Sequence, residues 1–294
     1  MKINVIDQFG YSSDIPVQVF TFSGGEVHVK LDMAAFSLLN FIGVKVQIHQ
    51  EIRTSDDFMA VVMAKDALDE IFRFYPNTPI ELYSLYVPYA RQDRYCEQGE
   101  AFGVRTFARL LNSLNFSRVV IADPHSEVTP AVINNLQIMP QHEIAFYMLG
   151  WKLRMDNFEL VSPDGGALKK IFKLGTQMNL KVHCADKIRD TATGDIIRTD
   201  ISVQDFGGAN LMIVDDICDG GRTFIELAKV LRDRNAGRIE LFVTHGIFSK
   251  GVDVFEGYVD CIHSFNVWEN NVKGTNTHGL LVENQAEVQK VFVK

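Results

Sequence analysis

Short apolar runs rich in β-branched and aromatic residues recur along the chain, with amphipathic segments between them. They are QVFTF, HVKL, VKVQIHQ, ELYSLYV, RVVIAD, FELVSP, LKVHCAD, NLMIVDD and RIELFVTHGIF, the last ending at Phe248. Several are apolar at successive positions instead of alternating, as strands covered on both faces are. The pattern predicts a parallel sheet flanked by helices.

Two of the intervening segments read as helices. TSDDFMAVVMAKDALDEIFRFYP opens with Thr54 three residues before Asp57, a capping-box spacing, and repeats apolar residues at Phe58, Val61, Val62, Leu68, Ile71 and Phe72 before Pro76 stops it. After NLMIVDD, Phe224, Leu227, Ala228 and Leu231 fall at i, i+3, i+4 and i+7, with Gly237 as the expected C-terminal glycine. The length of 294 residues suggests two domains. RVVIADPH and NLMIVDDI are apolar strands running into acidic residues, one in each half, which suggests a duplicated α/β unit. The boundary is placed at Pro140, giving domains 1–140 and 141–294.

The balance of 47% hydrophobic and 22% charged residues is that of a globular protein. The formal charge of -8 argues against nucleic-acid binding through a broad basic surface. It leaves a local anion site open, because backbone amides, a few cations and a divalent metal suffice for one. The N-terminus lacks the apolar stretch of a signal peptide, and no window reaches the roughly 18 apolar residues of a membrane helix. Cys96, Cys184, Cys218 and Cys261 show no metal-ligand spacing. A cytoplasmic protein with reduced thiols is expected, and Cys218 reads equally as a packed side chain or as a reactive thiol.

The stretch LMIVDDICDGGRTFIELAKVL concentrates the candidate chemistry. A strand from Asn210 to Val214 is expected to lead into an acidic, glycine-rich turn and then a helix. Amides at such a turn and the helix dipole attract an anion, so Gly220, Gly221, Arg222 and Thr223 read as a phosphate cradle. Ionised Asp215 and Asp216 accept hydrogen bonds only, which suits the paired hydroxyls of a ribose. A 5-phosphorylated ribose matches the whole stretch. The competing reading makes Asp215, Asp216 and Asp219 helix-terminus acids with no ligand.

That stretch resembles the phosphoribosyl-diphosphate-binding loop of the type I phosphoribosyltransferase fold. FSGGEVHV, VVMAKDAL, YARQDR, DPHSE, SPDGGALKK, DKIRD, VDDICDGGRT and THGIFS stand in the order seen in one branch of it, the ribose-phosphate pyrophosphokinases. The resemblance implies two tandem phosphoribosyltransferase-like α/β domains, each a mainly parallel sheet flanked by helices. It implies transfer of the diphosphoryl group of ATP to the anomeric hydroxyl of ribose 5-phosphate, releasing AMP. It further implies Mg2+ near His125 and Asp164, and ATP contacts from Phe22, Glu26, Arg91 and Gln92 shared between subunits of a homo-oligomer. His125, Lys187 and Arg189 would be catalytic, the last two covering the transferring group. The ribose phosphate would lie against Asp215, Asp216, Asp219, Gly220, Gly221, Arg222 and Thr223.

The chain departs from the family at several of these positions. Gly24 replaces an acidic residue between Phe22 and Glu26, and Ile188 and Asp190 replace a second Arg and a Pro. Gly220 stands where the family has Thr after its third Asp, and Arg222 where it has a second Gly. Loss of a hydroxyl and gain of a guanidinium fork suggest an acceptor with more than a terminal phosphomonoester, which ADP-ribose would satisfy in a route to NAD. Ribose 5-phosphate is the leading expectation and ADP-ribose the alternative. A non-catalytic regulatory paralogue is a third reading, opposed by the presence of Lys187, Arg189 and all three cradle acids.

Overall fold

The computed structural model describes residues 1–189, 196–272 and 281–283, the side chains of 187–189, 196–198 and 281–283 excepted. The chain forms two compact units, Met1–Met139 and Pro140–Lys294. Each is α/β and mainly parallel.

The first unit runs β1 (Lys2–Ile6), β2 (Ser12–Ile15), β3 (Val17–Thr21), β4 (Val27–Leu31), α1 (Met33–Phe36), β5 (Lys45–His49), α2 (Ser55–Ile71), β6 (Ile80–Tyr83), α3 (Gly103–Ser113), β7 (Arg118–Ala122), α4 (Val128–Val132) and β8 (Leu136–Met139). Its six-stranded sheet has the order β2-β1-β5-β6-β7-β8. Strands β5 to β8 are parallel, and β1 is antiparallel to both its neighbours. The apolar core joins Val46 and Ile48 of β5, Leu82 and Ile121 of the next strands, Val61 and Leu68 of α2, and Val104 and Leu111 of α3.

The two earliest apolar runs do not enter that sheet. QVFTF and HVKL form the separate antiparallel ribbon β3-β4, with Val17 opposite Leu31 and Thr21 opposite Val27. The five residues between them suffice for a hairpin but not for a parallel crossover. Val27, Val29 and Leu31 alternate inward, while β3 is almost wholly exposed. Helix α2 starts at the expected capping box, in which the Thr54 hydroxyl accepts from the Asp57 amide at 3.1 Å and Asp57 Oδ2 accepts from the Thr54 amide at 2.8 Å. It ends at Ile71, before Pro76, because Phe72 to Thr78 close in successive turns.

The second unit runs α5 (Gln141–Met155), β9 (Phe158–Ser162), α6 (Leu168–Met178), β10 (Val182–Arg189), β11 (Ile196–Ile201), β12 (Asn210–Cys218), α7 (Arg222–Asp233), β13 (Ile239–Gly246), a 3-10 turn at Asp253–Phe255, β14 (Cys261–Val267), α8 (Glu269–Val272) and β15 (Leu281–Glu283). The sheet order is β11-β10-β9-β12-β13-β14-β15, parallel except for β11. The chain moves outward from β9 to β10 and then returns past β9 to β12. In open parallel sheets the crevice at such a reversal, beyond the carboxyl ends of the strands, is where ligands bind.

Two details differ from the expectation around β12. The strand continues to Cys218, so Asp215 and Asp216 lie within it and not in the turn beyond. Helix α7 buries Phe224, Leu227, Ala228 and Leu231 as the periodicity requires, but Asn235, with φ +58°, supplies the left-handed residue after it. Gly237 serves instead a close approach, since a Cβ there would overlap the Gly208 carbonyl oxygen. Asn115, Asn157 and Asn179 take the same left-handed conformation after α3, α5 and α6. Asn adopts that conformation more readily than other side-chain-bearing residues.

At the opposite end of the strands, three glutamates each stand second in a strand and meet cations or histidines. Glu81 accepts from Arg118 at 2.7 Å, Glu159 lies 2.7 Å from both Lys181 and His183, and Glu240 lies 2.7 Å from His263 and 3.2 Å from Lys152. Among the described residues no helix is long and apolar enough to cross a membrane.

Candidate functional site

The reversal between β9 and β12 gathers acidic side chains from separate motifs. Asp164 follows β9, and its Oδ1 accepts from the Gly166 and Ala167 amides at 3.0 and 3.1 Å as the chain turns into α6. Asp215 and Asp216 come from β12, the next strand in the sheet. Asp215 Oδ1 accepts from the Asp216 amide at 2.9 Å, and Asp216 Oδ1 from the Ile217 amide at 2.8 Å. The two carboxyl groups are close enough to interact directly, by charge and by a side-chain hydrogen bond.

The field at this edge is negative. The Asp215 carboxyl is held well above the usual carboxylate range, first by burial, then by the charge of Asp216, with a further contribution from Asp164. Burial and the charges of Asp186 and Asp164 raise the Cys184 thiol, while burial and the charges of Asp215 and Asp219 raise that of Cys218. A divalent cation or a set of hydroxyl donors would relieve this repulsion, and all the acidic donors are hard oxygens of the kind magnesium takes.

A few residues further on, the chain makes a tight glycine turn into α7. Gly221 precedes α7 with φ +79°, and a Cβ on it would meet the Phe255 ring at 2.5 to 3.1 Å. Only glycine satisfies both constraints. The turn leaves the first amides of α7, at Arg222 and Thr223, without intrahelical acceptors at the positive end of the helix dipole. Arg222 is exposed and Thr223 half-buried. The Ile247 and Phe248 amides donate to the Cys218 carbonyl, and that of Ser249 to the Asp219 carbonyl, so the loop after β13 is fastened alongside. This brings the Lys250 side chain against Gly220, a neighbour that sequence spacing alone does not reveal.

Cys218 is fully buried, and with its thiol raised it is a packing residue and not a nucleophile. Cys96 is exposed. A thiol reagent at neutral pH is therefore expected to modify Cys96 rapidly in the native protein and Cys218 only on unfolding. Mass mapping of Cys218 as an early product would contradict this assignment.

The other expected site residues lie on separate pieces of the fold. Phe22 and Glu26 bracket the β3-β4 turn, joined by the Phe22 amide and the Glu26 carbonyl at 2.9 Å. Phe22 is 54% exposed and packs with Phe20 and His28 at ring separations of 5.2 and 5.7 Å. The Glu26 carboxylate occupies the space that a side chain at Gly24 would take. Arg91 and Gln92 are exposed beyond β6, with Gln92 packed on Gly103 at the start of α3. His125 is exposed in the loop at the carboxyl end of β7. Lys187 and Arg189 end β10, and their side chains lie outside the described residues.

Glu240, Cys261 and His263 form a second polar group, with donor atoms within 4.8 Å of one another. Burial alone would raise the Glu240 carboxyl, but its bonds to His263 and Lys152 outweigh that and lower it. With Arg238 also bonded to it, Glu240 already has its countercharge. This is a structural ion network at the amino edge of the sheet.

Residues 198–280 match the model of the phosphoribosyl synthetase-associated domain. A ribose-phosphate pyrophosphokinase of Mycoplasmopsis pulmonis is 34% identical over 177 residues, which are 58% of this chain and 53% of that protein. One from Pyrococcus abyssi is 32% identical over 170 residues, covering 56% of this chain and 57% of its own length. The match to these two relatives thus spans little more than half their length. That to the Pyrococcus furiosus ribose-phosphate pyrophosphokinase is longer, 26% identical over 80% of this chain and 79% of that one. The crystal structure of phosphoribosylpyrophosphate synthetase from Mycobacterium smegmatis superposes with a TM-score of 0.72 at 18% identity, covering 96% of this chain and 91% of that one. The chain is thus similar in sequence to ribose-phosphate pyrophosphokinases and has the fold of a phosphoribosylpyrophosphate synthetase.

Proposed function

We propose that this chain transfers the diphosphoryl group of ATP to the anomeric hydroxyl of ribose 5-phosphate, forming phosphoribosyl diphosphate and AMP. The observation that carries this reading is the meeting of Asp164 and the Asp215–Thr223 stretch at the β9-β12 reversal, acids on one side and an amide-lined glycine turn on the other. A phosphorylated sugar has the complementary ends, hydroxyl donors and a dianion. The names and fold of the relatives point to the same chemistry.

In this reading Asp215 and Asp216 orient the ribose hydroxyls, and residues 219–223 bind the 5-phosphate. Asp164 is the principal magnesium ligand, with His125 as a second magnesium-associated side chain. Bound magnesium would neutralise charge on the ATP phosphates. Lys187 and Arg189 stabilise the charge that develops on the transferring group, and Phe22, Glu26, Arg91 and Gln92 bind ATP in a site completed by a neighbouring subunit. Such transfer asks for alignment and charge neutralisation more than for covalent participation. Reduced cysteines and ATP as co-substrate suit a cytoplasmic enzyme.

A second acceptor, ADP-ribose, is favoured by one feature only, the exposed guanidinium of Arg222 on the first turn of α7 beside the side-chain-free Gly220. The names of the relatives lend it nothing. Purified protein with ATP and magnesium is expected to release AMP on addition of ribose 5-phosphate and to yield phosphoribosyl diphosphate by mass. AMP release confined to ADP-ribose would replace the acceptor, and none with either would favour the non-catalytic reading.

A further inference from the structure

We infer that Lys250 binds the phosphate of the acceptor, in place of a side chain at residue 220. This deepens the function proposed above and rests on it. A Cβ built on Gly220 would lie 3.5, 3.6 and 3.8 Å from Cε, Cδ and Cγ of Lys250. The lysine stem therefore borders the space that a side chain at residue 220 would enter. Gly220 immediately precedes Gly221 and the first residues of α7, so this stem borders the same glycine turn.

The backbone places residue 250 beside the glycine turn. The loop after β13 is tied to the strand end by the Ile247, Phe248 and Ser249 amides, which donate to the Cys218 and Asp219 carbonyls at 2.8, 3.2 and 3.2 Å. The Gly251 amide then donates to the Phe248 carbonyl at 2.8 Å, so residue 250 sits in a closed turn. Phe248 and Phe255, both fully buried, anchor that turn from below, and the Phe255 ring also abuts Gly221. The same packing thus holds the glycine turn and the lysine.

Charge supports the assignment. Beyond the effect of burial, the carboxyl groups of Asp164, Asp216 and Asp219 gather around Asp215 and Cys218 and raise both, a negative field that disfavours a dianionic phosphate nearby unless cations offset it. A threonine at position 220 would give one neutral donor. An ammonium gives a charge-assisted bond, about twice as strong as a neutral one. Its reach is set by the loop after β13 and not by the glycine turn itself.

The test is a comparison of wild type with Lys250→Met, which keeps the stem and removes the charge. The KM for ribose 5-phosphate is expected to rise about 10- to 100-fold, the KM for ATP to stay within about twofold, and the salt dependence of the former to weaken. The double variant Gly220→Thr/Lys250→Gly is expected to recover part of the loss. An unchanged KM for ribose 5-phosphate, or a change confined to ATP, would overturn the inference. Calorimetric binding of ribose 5-phosphate separates this from the function itself. Wild-type binding without turnover, lost in Lys250→Met, would sink the proposed reaction and keep the lysine's role, whereas no wild-type binding would remove both.

Discussion

Replacement of Asp215 by Asn is expected to make the protein more heat-stable and nearly inactive. The Asp215 carboxyl is held above its ordinary range by burial and by Asp216, so the folded state binds its proton more tightly than the unfolded chain does. Stability then falls as pH rises from the unfolded pKa, about 3.9, through the raised folded value. Asn carries no charge, so the gain should be largest at neutral pH and vanish below about pH 4. For a domain of this size each kcal/mol is worth about 2–4 °C in Tm. The proposed ribose contact needs the ionised acceptor, so kcat/KM for ribose 5-phosphate should drop about 100-fold. Thermal melts at several pH values and initial rates check both halves, and a destabilised variant of normal activity would show that Asp215 is a structural acid. Because the sugar would bind the ionised form, binding should also release protons, visible as buffer-dependent heats.

The second large effect concerns the glycine turn. Gly221→Ala places a side chain at φ +79° and drives its Cβ into the ring of Phe255. The backbone conformation costs about 1–2 kcal/mol and the overlap about 1–3 kcal/mol. Denaturant titration is expected to show a loss of roughly 2–5 kcal/mol. Sugar-phosphate binding should fail with it, because the turn that aims the first α7 amides must move. Gly220→Ala is the control. Its φ is not positive and its Cβ meets only the lysine stem at 3.5 Å or more, so stability should stay within about 0.5 kcal/mol. Equal losses in the two variants would mean that the turn is not held as described.

Much of this architecture is legible in residue order. Helix α2 follows from Thr54, Asp57 and its apolar spacing, and the buried face of α7 from Phe224, Leu227, Ala228 and Leu231. Continuous apolar runs reveal β7, β9, β12 and β13, because strands covered on both faces carry no alternation. Strands β1, β2 and β8 carry polar residues among their apolar ones and pass unnoticed, as does β14, where His263 and Asn266 are buried by hydrogen bonds instead of by being apolar. The helix ends mislead for a different reason, since glycine is the expected left-handed residue and the chain uses Asn115, Asn157, Asn179 and Asn235.

For the candidate site, the acids and the glycine turn are visible because their chemistry is compressed into nine residues, Asp215 to Thr223. Lys250 is not, because it reaches Gly220 only through the packing of Phe248 and Phe255. Nor does the sequence disclose that Asp215 and Asp216 are strand residues, since a strand's end depends on which neighbour continues to bond it. Here β13 pairs with β12 as far as Cys218.

That extension of β12 divides the site by how freely it can change over evolutionary time. Asp215 and Asp216 continue a strand whose earlier residues, Leu211 to Ile213, pair on both sides, so altering its register would turn a whole apolar strand inside out. Gly220 and Lys250 sit in two turns and Arg222 opens α7 on its exposed side, at positions whose side chains the core does not dictate. Descendants of this sequence could therefore vary the loop side chains freely, while the two strand acids are inherited with the fold.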